Sequence, residues 1–237
     1  MNCRLIQRLP ITIAIALTSC AIAPTIEANR TALAGVKRVA VVDLNLPNSA
    51  RVQNFGLAGG FGGIGGAIQG ATNADNSKVF TASIAKHDPT LNEALVSSVV
   101  DVLTKQGYQV TVIKDQKPSP DTDKKIWDLS KIHTDAILTV WAPRCGYVSP
   151  PQSLHYEPQV MIRVQLSETK SQQNLYLKTF FVGYKTASIS AECLPAGTGN
   201  RYKSFEDLNL HASEAADGLI ACEKIGAMKI GLDLAGH

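Results

Sequence analysis

A mixed α/β domain is the fold class this sequence predicts, and three observations predict it. β-branched residues dominate Val39-Ala40-Val41-Val42, the composition of a strand buried on both faces. An apolar helical period follows over residues 91–103 and gives way at Gly107 to an alternating strand, the order of a βαβ crossover. Two long alternating runs, 158–167 and 175–184, flank the polar Gln172-Gln173-Asn174 and read as an antiparallel hairpin. The expected architecture is a mixed sheet with a parallel βαβαβ core, an antiparallel hairpin and covering helices, one of them C-terminal.

Taken in order, the chain opens with Arg4 and Arg8, an apolar run over 11–17, and Leu17-Thr18-Ser19-Cys20. That order is a secretory leader, and the small residues before a cysteine make it the lipoprotein kind, with residues 1–19 removed and Cys20 acylated. The apolar run is too short to span a bilayer, which takes ~20 residues. The acyl chains are therefore the expected anchor. Residues 20–35 lack an apolar period and read as a tether. The domain proper is expected over 36–230. Its first strand, through Asp43, is broken at Pro47-Asn48-Ser49.

A glycine-rich insertion is expected over 54–78. Its core, GLAGGFGGIGGAIQG from Gly56 to Gly70, is poor in helix formers, since each interior glycine costs about 1 kcal/mol against alanine. A loop is the expected state. Gly62, Gly66 and Gly70 also stand four apart, the spacing that lets apolar helices pack closely, so membrane contact or self-association is the competing reading. Gly60-Phe61-Gly62-Gly63-Ile64-Gly65 has the letters of a dinucleotide fingerprint but lies about a dozen residues from the strand it would have to follow.

Residues 79–84 predict a short strand. Asp88-Pro89 suits a helix start, and Leu91, Leu95, Val99 and Leu103 give that helix one apolar face. Gly107 reads as its left-handed terminator. A strand over 108–113, a polar loop, a helix over 123–133 and a strand over 135–141 complete the crossovers. Ser204-Phe205-Glu206-Asp207 resembles a capping box and opens a last helix expected to run to about residue 228.

Reactive groups are sparse. Cys145 and Cys193 each follow a strand that should finish at the same end of the sheet, so a Cys145–Cys193 disulfide is expected, with Cys222 buried and free in the last helix. No Cys-x-x-Cys or paired-histidine spacing points to a metal. Gly197-Thr198-Gly199-Asn200-Arg201-Tyr202-Lys203-Ser204 nearly matches a phosphate-binding loop, but Tyr202 stands where the backbone cradle needs glycine. Trp141, Tyr147, His155 and Tyr156 gather around a proline-containing stretch, 143–158, that reads as a partner-contact loop or as a cover for the core. Without Arg4 and Arg8 the chain carries 21 basic against 20 acidic residues, a balance that gives no basic face for nucleic acid. No catalytic residue, cofactor or metal is expected.

The patterns VKRVAVVD, ALVSSVVDVLTKQGYQVTVI and TDAILTVWA, within residues 36–228, resemble bacterial envelope lipoproteins with a TolB N-terminal-like α/β domain. Relatives of that group include the curli secretion channel subunit and activators of penicillin-binding proteins. The resemblance implies a non-enzymatic, lipid-anchored accessory or assembly component, held in the outer membrane facing the periplasm, since Ala21 follows Cys20. The alternative it suggests is an oligomeric secretion or pore component. The segment with Gly56, Gly62, Gly66 and Gly70, together with Trp141 and Tyr147, is the expected contact region. It does not alternate as the hairpins of the curli pore do.

Overall fold

The first strand forms where the β-branched run predicts it. In the computed structural model, which describes residues 25–44, 49–56, 62–87, 91–114, 132–151, 153, 155–184, 191–197 and 199–235, β1 is Arg38–Val42. The short α1 (Arg30–Leu33) precedes it; β2 (Arg51–Asn54), α2 (Gly62–Ile84), α3 (Leu91–Lys105) and β3 (Gln109–Ile113) follow. The remainder is β4 (Ala136–Ser149), β5 (Glu157–Glu168), β6 (Asn174–Gly183), β7 (Glu192–Leu194), α4 (Phe205–Leu210) and α5 (Ala212–Leu234).

One seven-stranded sheet runs in the order β3-β1-β4-β5-β6-β7, with β2 on the far half of β4. β3, β1 and β4 are parallel neighbours, whereas β4, β5 and β6 are antiparallel. This is the mixed α/β class that the sequence predicts. Alternation sorts the faces. Val39, Val41, Leu138, Val140, Ile162, Val164 and Phe180 belong to the core shared with α3 and α5, and Ala40, Val42, Leu44 and Ile137 form a second cluster. Gly107, at φ 91°, ends α3 in the left-handed conformation that its position suggests.

β4 runs eight residues further than expected. Its register shifts between Trp141 and Arg144, around Pro143, which has no N–H for the ladder. Beyond the shift, Gly146 pairs with Arg51, and a Cβ there would lie 1.9 Å from the Arg51 carbonyl oxygen. Only glycine admits β2 so close. Most of the stretch expected as a partner-contact loop is therefore strand.

Other expectations also change. The glycine-rich segment from Gly62 is helix rather than loop, and residues 79–84, expected as a strand, are the last turns of α2. Part of the stretch expected as a tether packs on the domain: Ile26 exchanges backbone hydrogen bonds with Leu177 at 2.7 and 2.9 Å, and Leu33 is fully buried. The last helix divides at His211 and continues to Leu234. Residues 1–24, including Cys20, the Asp88-Pro89 helix start and most of the helix expected over 123–133 lie outside the described residues.

Candidate interaction surface

A strand edge left unpaired exposes a row of amides and carbonyls, and proteins cover such edges. β2 pairs with β4 on one side only; α2 covers the other with side chains. Thr81 Oγ1 accepts from the Ala50 N–H at 3.1 Å and donates to the Ala50 carbonyl at 3.0 Å. Ser77 Oγ accepts from the Val52 N–H at 2.9 Å and shares its proton between the carbonyls of Val52 and Asn73. Asn73 engages the N–H and carbonyl of Asn54, and Gln69 donates to the same carbonyl. Four helix residues rise ~6 Å and two strand residues ~6.7 Å, which is why every fourth helix position meets every second strand position.

The opposite face of α2 is open. From residue 62 to residue 74 the sequence carries no charge, and Gly66, Ala67, Ile68, Gly70, Ala71 and Thr72 are exposed, Ile68 to 65%. A Cβ built on Gly66 or Gly70 would meet nothing within 4 Å. Gly62 begins the helix. Gly56 lies two residues after β2, its N–H on Asn54 Oδ1 at 2.7 Å. Phe80, wholly buried, pins the helix by packing edge-on to Tyr147 at 5.9 Å.

Tyr147 is therefore a core residue rather than a surface contact. Its hydroxyl donates to the Ala215 carbonyl at 3.1 Å, and its ring also meets Tyr202 edge-on at 5.4 Å. Burial holds its ionisation well above the ordinary tyrosine range. Tyr202 pairs with Tyr156 across a β-bridge, so the segment resembling a phosphate loop closes on the core, and Ser204 caps α4 by accepting from the Asp207 N–H. Trp141 is half-buried against the second cluster, away from Tyr147.

The expected Cys145–Cys193 bridge is not formed; both are free thiols. In register, Cys145 lines up with Val160, Val182 and Leu194, whereas Cys193 lines up with Phe181. The two thus stand three strands apart, about 14 Å, on opposite faces, beyond the ~7 Å a disulfide tolerates. Cys145 is buried instead beside Glu223, to which its thiol donates at 3.9 Å. Cys222 is buried and free, as its helical position predicts, and burial pushes its thiol up to about 12. Glu223 is fully buried, and burial drives its carboxyl well above the usual range; its second oxygen has no hydrogen-bond partner among the described residues.

A charged cluster missed by sequence reading secures the N-terminal segment. Lys178, on β6 and facing α5, lies 3.4 Å from Glu27, 3.0 Å from Glu192 and 3.2 Å from Asp233. Lys229 reaches Glu192 and Asp233 at 3.1 and 2.9 Å, and the Tyr176 hydroxyl donates to Asp233 at 2.8 Å. Burial opposes the charge on Lys178, but the hydrogen bonds to Glu192 and Asp233 outweigh it and hold the ammonium above its usual value. These residues come from four distant segments, and apart from the i,i+4 pair Lys229–Asp233 no local spacing announces them.

Among the described residues no group of three histidine, cysteine or carboxylate side chains could hold a metal, and no helix is long and apolar enough to cross a membrane. The hollow where β2 meets β4, lined by Arg51, Arg144, Cys145 and Gln159, has about 10 Å³ of room, the size of one water.

No family model and no curated protein sequence matches the chain. Among solved structures, a lipoprotein from Neisseria meningitidis is 13% identical at a TM-score of 0.34, covering 62% of this chain and 82% of its own. The PelC dodecamer from Paraburkholderia phytofirmans is 12% identical at 0.30, covering 83% and 92%. A protein from Xanthomonas campestris is 10% identical at 0.39, covering 84% and 85%. At scores this low the likenesses carry nothing further for this chain.

Proposed function

We propose that this protein is a non-enzymatic, lipid-anchored component of the bacterial envelope, held in the outer membrane by acylated Cys20, that docks on a partner protein through the open face of α2. The observation that carries the reading is an uncharged, solvent-facing surface over residues 66–72 with Ile68 65% exposed, on a helix whose opposite side is committed to β2. Exposed apolar surface rimmed by polar residues marks contact sites. The Leu17-Thr18-Ser19-Cys20 junction and the TolB-like patterns support the anchoring and the accessory role. A photo-crosslinking residue at position 68 in intact cells should capture a different envelope protein, and the same residue at position 224, on the outside of α5, should not. Capture at neither position, or equally at both, would sink the reading.

A second reading is self-association, favoured by the open space over Gly66 and Gly70, which would let a second copy's helix approach closely. Crosslinks from position 68 to this chain itself would select it.

A further inference from the structure

One end of the sheet gathers both the entry of the chain and a set of free cations. The N-terminal segment joins the edge of β6 at Ile26–Leu177, crosses that end of the sheet as α1 with Leu33 buried, and enters β1 through Lys37. α3 finishes at the same end, where the Gln109 N–H donates to the Lys37 carbonyl at 2.8 Å. The turn between β5 and β6 closes there too, the Thr169 N–H donating to the Asp135 carbonyl at 3.0 Å. Arg30, Lys37, Lys105 and Lys170 are thereby brought to one end, all exposed and all without an ion pair among the described residues.

Of the four acids nearby, two are paired with a cation and two are not, among the described residues. Asp135 accepts from Arg38 at 2.8 Å, Glu27 pairs with Lys178, and Glu168 accepts from the Ser171 hydroxyl. Asp101, one turn before Lys105 on α3, is exposed. Cys20 lies five residues before Thr25, a reach of at most about 18 Å. The segment runs antiparallel to β6, which sets Thr25 about 13 Å in from this end, so that reach is long enough to bring an anchor at Cys20 to this end of the domain.

From these placements, and resting on the reading that Cys20 carries the acyl anchor, we infer that this end of the sheet lies on the membrane surface, with Arg30, Lys37, Lys105 and Lys170 on the phosphates of anionic phospholipid headgroups. The open face of α2 then points away. Asn54 pairs with Ser149, ten β4 residues beyond Thr139, which lines up through Gln165 with Leu177; that offset is about 30 Å along the sheet. The anchored end meets lipid and the glycine-rich helix is presented at the far end.

The test uses the mature acylated protein in phosphatidylethanolamine vesicles with and without phosphatidylglycerol. A fluorophore is placed on Ser171→Cys or Ala71→Cys in a Cys193→Ser background, and a headgroup-attached quencher reads its distance from the lipid. Position 171 should be quenched strongly and position 71 hardly at all. The quenching at 171 should fall about twofold or more without phosphatidylglycerol, in high salt, or when Arg30, Lys37, Lys105 and Lys170 are all changed to glutamate. The salt arm needs no substitution at these four sites, so it decides the matter even if the reversed variant folds poorly. Equal quenching at the two positions, or quenching at 171 indifferent to phosphatidylglycerol and salt, would overturn the inference. Flotation of a leaderless Cys20→Ser protein with vesicles that lack phosphatidylglycerol would overturn the anchoring reading instead, and the inference with it.

Discussion

The side-chain amide of Asn73 meets the backbone of Asn54 as a neighbouring strand would: Oδ1 accepts from the Asn54 N–H at 3.0 Å and Nδ2 donates to the Asn54 carbonyl at 3.3 Å. A helix here completes a strand edge. Asn73→Ala should destabilise the fold by about 1–3 kcal/mol, because the partly buried Asn54 N–H loses its partner. Asn73→Asp, which keeps the acceptor, should cost less. Thr81→Ala acts two rungs away, so its cost should add to that of Asn73→Ala. Urea unfolding of the single and double variants checks each value; a neutral Asn73→Ala would mean the ladder is incidental.

Close packing of α5 on α3 depends on Gly231. A Cβ there would fall 2.0 Å from Val102 Cγ1, and valine has little rotamer freedom with which to retreat. Gly231→Ala, which by helix propensity alone should stabilise, is expected to destabilise by about 1–3 kcal/mol through overpacking. Adding Val102→Ala should recover part of the loss, measurable as a partial return of the melting temperature.

The parallel core and the hairpin were legible because their signal is local: the Val39–Val42 run and the alternation in β5 and β6 each report burial of one stretch. α2 was not legible. Its glycines argue against helix, and what offsets them is a tertiary ladder from Asn73, Ser77 and Thr81 to β2, a four-residue strand that itself gave no pattern. Polar residues every fourth position facing short polar sequence were the available signal. The cysteine pairing failed for a related reason: sharing an end of a sheet does not fix which face a side chain takes, and one residue of register put Cys193 opposite Cys145. The Lys178 cluster joins four distant segments, which spacing cannot foresee.

Asp135 predicts an acid-sensitive clasp between β1 and β4. Hydrogen bonds from the Arg38 guanidinium, then from the Arg38 and Lys37 amides, lower its carboxyl from 3.8 to about 2. Because the folded value lies below the unfolded one, the stabilisation is complete above the unfolded pKa and is lost as pH falls toward 2. Asp135→Asn should therefore be less stable than wild type at pH 7 and converge with it near pH 2. Parallel acid-unfolding curves would contradict the clasp.

Thiol accessibility separates the three described cysteines. Cys193 is exposed, whereas Cys145 and Cys222 are buried with their thiolates disfavoured by burial. Of these three, a thiol-alkylating reagent should modify only Cys193 in the native protein and the other two only after denaturation. Mass analysis showing Cys145 linked to Cys193 would contradict the register of β4 to β7.

Glu223 gives a pH dependence of opposite sign to that of Asp135. Its side chain is fully buried between α5 and the sheet, with the Cys145 thiol on one oxygen and no partner on the other among the described residues. Burial raises the folded pKa well above 4.5, so the folded state holds a proton that the unfolded state releases. Stability should then fall as pH rises from the unfolded value toward the folded one. Glu223→Gln keeps the shape, removes the ionisation and can still accept from Cys145. It should match wild type near pH 4 and melt several degrees higher at pH 8, about 2–4 °C for each kcal/mol in a chain of this size. A variant that melted lower than wild type at both values would mean that Glu223 is ionised in the folded state and held by a charge or solvent not seen around it, and the burial argument would fall with it.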